Sequence, residues 1–357
     1  MKKVVCIHLY NDFSGSPLVL STAIKGLIKK GNKVTLLTSD SEGFLSNLDT
    51  ENRIIPYQFQ SNKFKRLLAL LYNQFLIFCQ ILKFRKEEVV IYVNTLLPFG
   101  AALAGKLTGK KVVYHIHETS IRPLLLKWIL KFIASITANQ AIYVSKYLME
   151  KERLRWTKGK VIYNALSKDF VEKAAQFIEK KVEKKHPFTV LMLCSLKKYK
   201  GVDQFVEIAK RLPDYRFELV LNATSKEIST YFESLELPEN IVIFPKQSNV
   251  HWFYERAHLV LNLSDPNQWV ETFGMTLLEA MTYGIPVIAP PVGGPTEIVK
   301  HGENGFSINF NHLTRIIETI KDLAQNKTVH QQLSLNAING TNAFKELNFI
   351  NAFYQAI

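Results

Sequence analysis

The sequence predicts an α/β protein of two doubly wound domains, and three observations carry that prediction. Strand-length apolar runs alternate with helix-length segments along the chain. These runs are continuous rather than alternating, so each strand is expected to be buried on both faces, as in parallel sheets covered by helices. A charged stretch ending in proline divides the runs into two series, and 357 residues are too many for one ordinary core.

In the first series, strands are predicted at residues 4–10, 33–39, 89–94, 112–117, 141–145 and 160–163, with helical segments such as 18–30 between them. The opening run could pass for a short signal peptide, but His8 breaks it, Asn11-Asp12 ends it, and no small-residue cleavage site follows. A buried first strand is the better reading. Residues 166–187 read as a linker, ending in the charge run Lys180-Lys181-Val182-Glu183-Lys184-Lys185-His186-Pro187. The second series places strands at 189–194, 217–221, 241–244, 259–263, 287–289 and 306–308. The expected division is a first domain over 1–165, a second over 188–342, and a terminal helix over 343–357.

Composition narrows the function classes. Three scattered cysteines, Cys6, Cys79 and Cys194, with no CxxC or Cys/His cluster, argue against a disulfide framework or structural zinc and fit a reducing compartment. No run reaches the roughly 18 uninterrupted apolar residues of a spanning helix. The net charge of +14 is unevenly placed: residues 1–164 hold 25 basic and 10 acidic groups, and the remainder 20 and 21. The whole excess lies in the first half, which suits a polyanionic partner such as anionic lipid, a lipid pyrophosphate or nucleic acid, or simply a soluble basic surface. Two segments could carry it on an interfacial helix, 63–86 and 122–138. The second has Lys127 and Lys131 on one face, with Trp128 and Phe132 adjacent. Core packing with snorkelling lysines explains both segments about equally well. Nucleic-acid binding is the weaker explanation, since no zinc-finger, helix-turn-helix or RNA-binding signature accompanies the charge.

The most informative segment runs from Ser264 through Glu271-Thr272-Phe273-Gly274 to Glu279-Ala280-Met281 and Gly284-Ile285-Pro286-Val287. It reads as strand end, loop, short helix and next strand. With Gly274 at the helix start, free backbone N–H groups and the positive dipole end can bind phosphate without a charged side chain. Glu271 precedes that start, where a carboxylate can accept from sugar hydroxyls. Glu279 sits on an apolar helix face and needs a partner. On spacing alone, a helix N-terminal carboxylate and an amphipathic helix edge explain the two glutamates equally well.

Three further segments are open to two readings. Ser195-Leu196-Lys197-Lys198-Tyr199-Lys200-Gly201 follows a strand and opens a helix, so Lys200 can reach a phosphate there; a solvated lysine cluster is the plainer reading. His117 ends a parallel strand, where side chains face a ligand crevice, although a lone histidine at a strand end is more often structural. His115 and His117, one residue apart, are expected to point to opposite sides and not to pair on a metal. Gly15, in the loop Asn11-Asp12-Phe13-Ser14-Gly15-Ser16-Pro17, permits close backbone approach to a ligand or marks a turn.

Together these segments resemble family 4 of the retaining glycosyltransferases, whose fold is GT-B. The family signature is E-G-F-G-x-x-x-x-E-A-M-A-x-G-x-P-V-I-A, and Glu271, Phe273, Gly274, Glu279, Ala280, Met281, Gly284, Pro286 and Val287 match it. Gly293-Gly294-Pro295-Thr296-Glu297-Ile298-Val299 and His301-Gly302-Glu303-Asn304-Gly305 match the stretches that follow. Thr272 stands where the family has glycine, and Ser195 where it has an arginine that clamps the donor diphosphate; Lys200 and Gly201 match. His117-Glu118 matches a histidine followed by an acid near the donor sugar.

The resemblance implies two Rossmann-like domains facing across a cleft, the first for the acceptor and the second for a nucleotide-sugar. It implies retaining glycosyl transfer without a protein nucleophile. His117, Lys200 and Glu271 are the implied catalytic residues. Gly15, Ser195, Lys197, Lys200, Glu271, Thr272, Phe273, Gly274 and Glu279 are the implied donor-site residues, with Glu271 on sugar hydroxyls and Glu279 on ribose. No metal or cofactor is expected, since no Asp-x-Asp occurs. The implied setting is bacterial surface-polysaccharide assembly on a carbohydrate or polyprenyl-pyrophosphate-linked acceptor, in the cytoplasm at the inner membrane face. Two alternatives stand: a weakly active partner subunit of the same fold, with Ser195 in its favour, and a basic membrane- or nucleic-acid-binding protein.

Overall fold

A computed structural model describes residues 2–179 and 187–357. The chain divides into two compact units, Met1–Ala165 with Glu346–Ile357, and Leu166–Lys345.

Among the described residues, the first unit holds seven parallel strands, β1 (Lys3–Ile7), β2 (Lys33–Ser39), β3 (Glu51–Ile55), β4 (Val89–Asn94), β5 (Lys111–Ile116), β6 (Gln140–Tyr143) and β7 (Lys158–Val161), in the order β3-β2-β1-β4-β5-β6-β7. β1 lies between β2 and β4, with Val4 level with Val34 and Val90. β3 escapes the sequence reading because it is an edge strand: only Ile55 of its five residues is buried, so no continuous apolar run marks it. The helix Glu346–Ala356 packs on the helix Gly15–Lys29, where a Cβ on Gly26 would lie 2.7 Å from Ile350. Its Phe353 meets Tyr92 edge-on at 5.0 Å, and Phe349 and Phe353 share the core of Val4, Leu20, Ile24 and Val113.

The second unit, among the described residues, holds β8 (Thr189–Cys194), β9 (Arg216–Leu221), β10 (Ile241–Phe244), β11 (Leu259–Leu261), β12 (Val287–Ala289) and β13 (Gly305–Ser307), all parallel, in the order β10-β9-β8-β11-β12-β13. Inside β9, the fully buried Glu218 is held by Arg216 and Arg256, a paired charge that satisfies its carboxylate. Both sheets are doubly wound and Rossmann-like, as the continuous apolar runs predict.

The linker expected at 166–187 is corrected in part. Residues Lys168–Glu179 form a helix, and the charge run at 180–186 lies outside the described residues. Phe170, Ala174 and Phe177 recur at helical spacing: Ala174 is buried, Phe170 packs on His251, and Phe177 on Tyr283. Charged residues around this sparse stripe hide it in the sequence.

Candidate functional site

In each sheet the winding reverses beside the first strand, between β1 and β4 and between β8 and β11. In open parallel sheets the usual ligand site is the crevice at the carboxyl ends of two such strands, bordered by the loops that leave them. In the second unit those loops span residues 195–200 and 262–274.

The two loops are pressed together at Gly201. Its φ is +77°, and a Cβ there would lie 2.4 Å from the carbonyl oxygen of Leu263, so only glycine fits. This approach carries Lys200 onto Glu271, whose Oε1 accepts from the Lys200 ammonium and, at 2.9 Å, from the Ser264 hydroxyl. Both charged side chains are largely buried, 14% and 18% exposed, so their charges are weakly screened. The ammonium also lies 5.5 Å from the Trp269 ring centre, and Trp269 stacks on Tyr199 at 5.4 Å.

A second close approach shapes the loop carrying Glu271. A Cβ on Gly293 would fall 2.3 Å from the Glu271 carbonyl oxygen, and one on Gly294 would fall 2.2 Å from that of Thr272. The Gly294 N–H donates to the Glu271 carbonyl at 2.8 Å. The Gly-Gly pair is therefore a floor beneath residues 271–273. Gly274 caps the helix Met275–Thr282, and Phe273 is buried against Phe344.

Glu279 lies on that helix, partly buried. The Tyr254 hydroxyl donates to its Oε2 at 2.6 Å; Oε1 has no protein hydrogen bond among the described residues. Burial pushes the carboxyl pKa up to about 7, with the Tyr254 hydrogen bond opposing. Tyr254 is fixed in turn by stacking on Tyr283 at 5.6 Å and by the edge of Phe170 at 6.3 Å. Sequence reasoning gives no role to Ser264, Trp269 or Tyr254. Ser264 and Trp269 lie inside the signature segment, but nothing in the sequence points to Tyr254.

Ser195 begins the loop after β8, and its carbonyl accepts from the Lys197 N–H. Lys197 is exposed and lies near Glu227, whose carboxyl is held low by hydrogen bonds from Thr224 and, more weakly, by the Lys197 charge. The lysine cluster thus divides, with Lys200 turned inward and Lys197 and Lys198 to solvent.

In the first unit His117 follows β5, with its Nε2 2.9 Å from Asn94 Oδ1. Burial, reinforced by the neighbouring His115 and His8, pulls its pKa well below the ordinary histidine value. Glu118 is pushed by burial up to about 7. The expectation that His115 and His117 point apart is wrong. Strand side chains alternate with period two, so residues two apart share a face, and the two rings lie 4.2 Å apart. Among the described residues, no group of three or more His, Cys, Asp or Glu side chains could hold a metal ion. Thr95, beside them at the end of β4, has φ +74°, a strained conformation for a β-branched residue. Gly15 opens the helix Gly15–Lys29, and a Cβ there would meet nothing within 4 Å. Ser145 is an N-cap, its hydroxyl accepting from the Leu148 N–H at 3.1 Å.

The two helices of the basic unit expose broad apolar faces: Phe64, Leu68, Tyr72 and Phe75 on Lys63–Leu82, and Leu125, Trp128 and Phe132 on Leu124–Thr137. Lys127 and Lys131 add less charge to that surface than their number suggests. Both reach the buried Glu152, at 2.5 and 3.0 Å, which cancels one of their two charges. Among the described residues no helix is long and apolar enough to cross a membrane.

Residues 173–340 match the family model described as Glycosyl transferases group 1. The match lies within the second unit. Across the two units the fold matches that of HepE from Anabaena, crystallised with UDP and glucose, with a TM-score of 0.81, 19% identity and 99% of each chain covered. The fold is GT-B. By sequence the chain is similar to a 41.2 kDa protein in the cps region of Klebsiella pneumoniae, at 27% identity over 81% of this chain and 84% of that one. It is also similar to N-acetyl-alpha-D-glucosaminyl L-malate synthase of Bacillus anthracis, at 23% identity over 94% and 91%. The Lys200–Glu271 pair and Glu279 lie within the residues matched by the family model.

Proposed function

We propose that this protein is a retaining glycosyltransferase that moves a hexose-type sugar from a nucleotide diphosphate to a carbohydrate or polyprenyl-pyrophosphate-linked glycan, in bacterial surface-polysaccharide synthesis. The observation that carries the reading is the Lys200–Glu271–Ser264 cluster beside the start of the Met275–Thr282 helix, at the switch point of the second sheet. A cation and a helix N-terminus neutralise a diphosphate leaving group, while a carboxylate orients sugar hydroxyls. Ser195 and Lys197 border the diphosphate, backbone N–H groups of residues 272–274 contact sugar and phosphate, and Glu279 takes the ribose hydroxyls through Oε1. In the first unit, His117 and Gly15 are the residues proposed to contact a sugar. The donor phosphate itself helps to take the acceptor's proton, so neither a protein nucleophile nor a metal is needed.

UDP and glucose bound to the structurally similar HepE, and the cps-region location of the Klebsiella relative, support this reading. The enzyme works at the inner face of the plasma membrane, held through the apolar faces of the 63–86 and 122–138 segments, with exposed lysines and arginines of the basic unit against anionic lipid.

Calorimetric titration with UDP and GDP, with and without magnesium, tests the donor site. One nucleotide should bind independently of magnesium, and Lys200→Ala and Glu279→Ala should each weaken it by roughly tenfold or more. No binding of either nucleotide to folded protein would overturn the assignment. Ser195 favours a second reading, a weakly active partner subunit. Nucleotide binding without turnover of UDP-glucose, UDP-galactose, UDP-N-acetylglucosamine or GDP-mannose would select it.

A further inference from the structure

We propose that Asn94 is a positioning residue: it holds His117 as the neutral tautomer protonated at Nε2, and so leaves Nδ1 as a hydrogen-bond acceptor for a sugar hydroxyl. The inference rests on the glycosyl-transfer reading and concerns the crevice of the first unit.

One backbone carbonyl fixes the arrangement. Asn94 is fully buried at the end of β4, and its amide lies 3.1 Å from the Ser16 carbonyl oxygen. A carbonyl can only accept, so the amide atom facing it is Nδ2, not Oδ1. Oδ1 therefore faces His117 at 2.9 Å and, being an acceptor, requires a proton on His117 Nε2. Nδ2 also lies 3.0 Å from His8 Nδ1, which must then be the bare nitrogen of that ring. The ends of β1, β4 and β5 and the start of the Gly15–Lys29 helix are tied by one amide.

His117 is part-exposed, and its Nδ1 has no hydrogen-bond partner among the described residues. A neutral ring with Nε2–H tied back offers a lone pair at Nδ1, the right chemistry for a hydroxyl and the wrong one for a phosphate. A charged ring would have a donor on both nitrogens and lose that selectivity.

The test reads the ring directly. Nitrogen-15 spectra of histidine-labelled protein without ligand should show His117 as the Nε2–H tautomer from about pH 6 to about pH 8. An Nδ1–H tautomer or an imidazolium in that range overturns the proposal. In Asn94→Leu, kept only if its circular dichroism and Tm show a folded protein, the tautomer preference should relax. Turnover of the nucleotide-sugar found in the panel above should then fall roughly 10- to 100-fold while UDP affinity, a property of the second unit, stays unchanged. Asn94→Asp should stabilise the imidazolium and add an acidic fall to the turnover–pH profile that wild type lacks. Unchanged turnover in both variants overturns the positioning role. Failure of UDP to bind wild type would instead sink the donor-site reading and leave the tautomer result standing.

Discussion

A carboxyl half-buried on an apolar helix face takes up a proton on folding, and Glu279, moved from an ordinary 4.5 to about 7, does so. Between those two values the folded state binds more protons than the unfolded chain, so stability from this residue falls as pH rises from about 4.5 to about 7 and stays lost above. Glu279→Gln keeps an acceptor for Tyr254 and removes the charge. It should stabilise the protein by about 1 kcal/mol or more near pH 8, change little near pH 5, and weaken UDP binding. Urea unfolding at the two pH values, with a titration, checks all three. Glu279 itself is legible in the sequence because a lone glutamate interrupts an apolar helix face. Its partner Tyr254 is not: 25 positions separate them, and only the packing of Phe170 and Tyr283 makes that phenol reach the carboxylate.

Among elements, the loop of residues 271–273 and the Gly293–Gly294 floor behave as one piece. Gly294→Ala pushes a methyl group against the Thr272 carbonyl and the Phe273 backbone, which are not flexible ends of side chains. A cost of about 1–3 kcal/mol in unfolding free energy is expected, together with loss of UDP binding although Lys200 is untouched. A variant that binds UDP normally would show that the floor does not position the loop. Both strand series are readable because buried parallel strands are continuously apolar, as Val89–Asn94 and Thr189–Cys194 are. The edge strand Glu51–Ile55 and the helix Lys168–Glu179 are not, because each buries too little to print a pattern. The Gly-Gly pair stands out only by resemblance; spacing cannot say which distant backbone a glycine must admit.

At the scale of the molecule, the charge asymmetry and the apolar helix faces belong to the same unit. If that surface meets lipid, flotation with vesicles containing phosphatidylglycerol should carry wild type upward, and Trp128→Ser with Phe132→Ser should leave it behind, with UDP affinity unchanged. Equal flotation of both proteins would rule out the Leu124–Thr137 face. Because Glu152 cancels one of the two charges of Lys127 and Lys131, salt should weaken this attachment less than the number of lysines on the helix suggests.

The return of Glu346–Ala356 to the first unit sets an order on synthesis. Residues 2–165 leave the ribosome first, yet their core includes Phe349 and Phe353, which emerge after the whole second unit. The nascent first unit therefore waits with an open seam beside Tyr92 and Leu20 while its neighbour is translated. The unit begun first is the one completed last, and that interval is when a chaperone, or a misplaced apolar helix, has its best access to the seam.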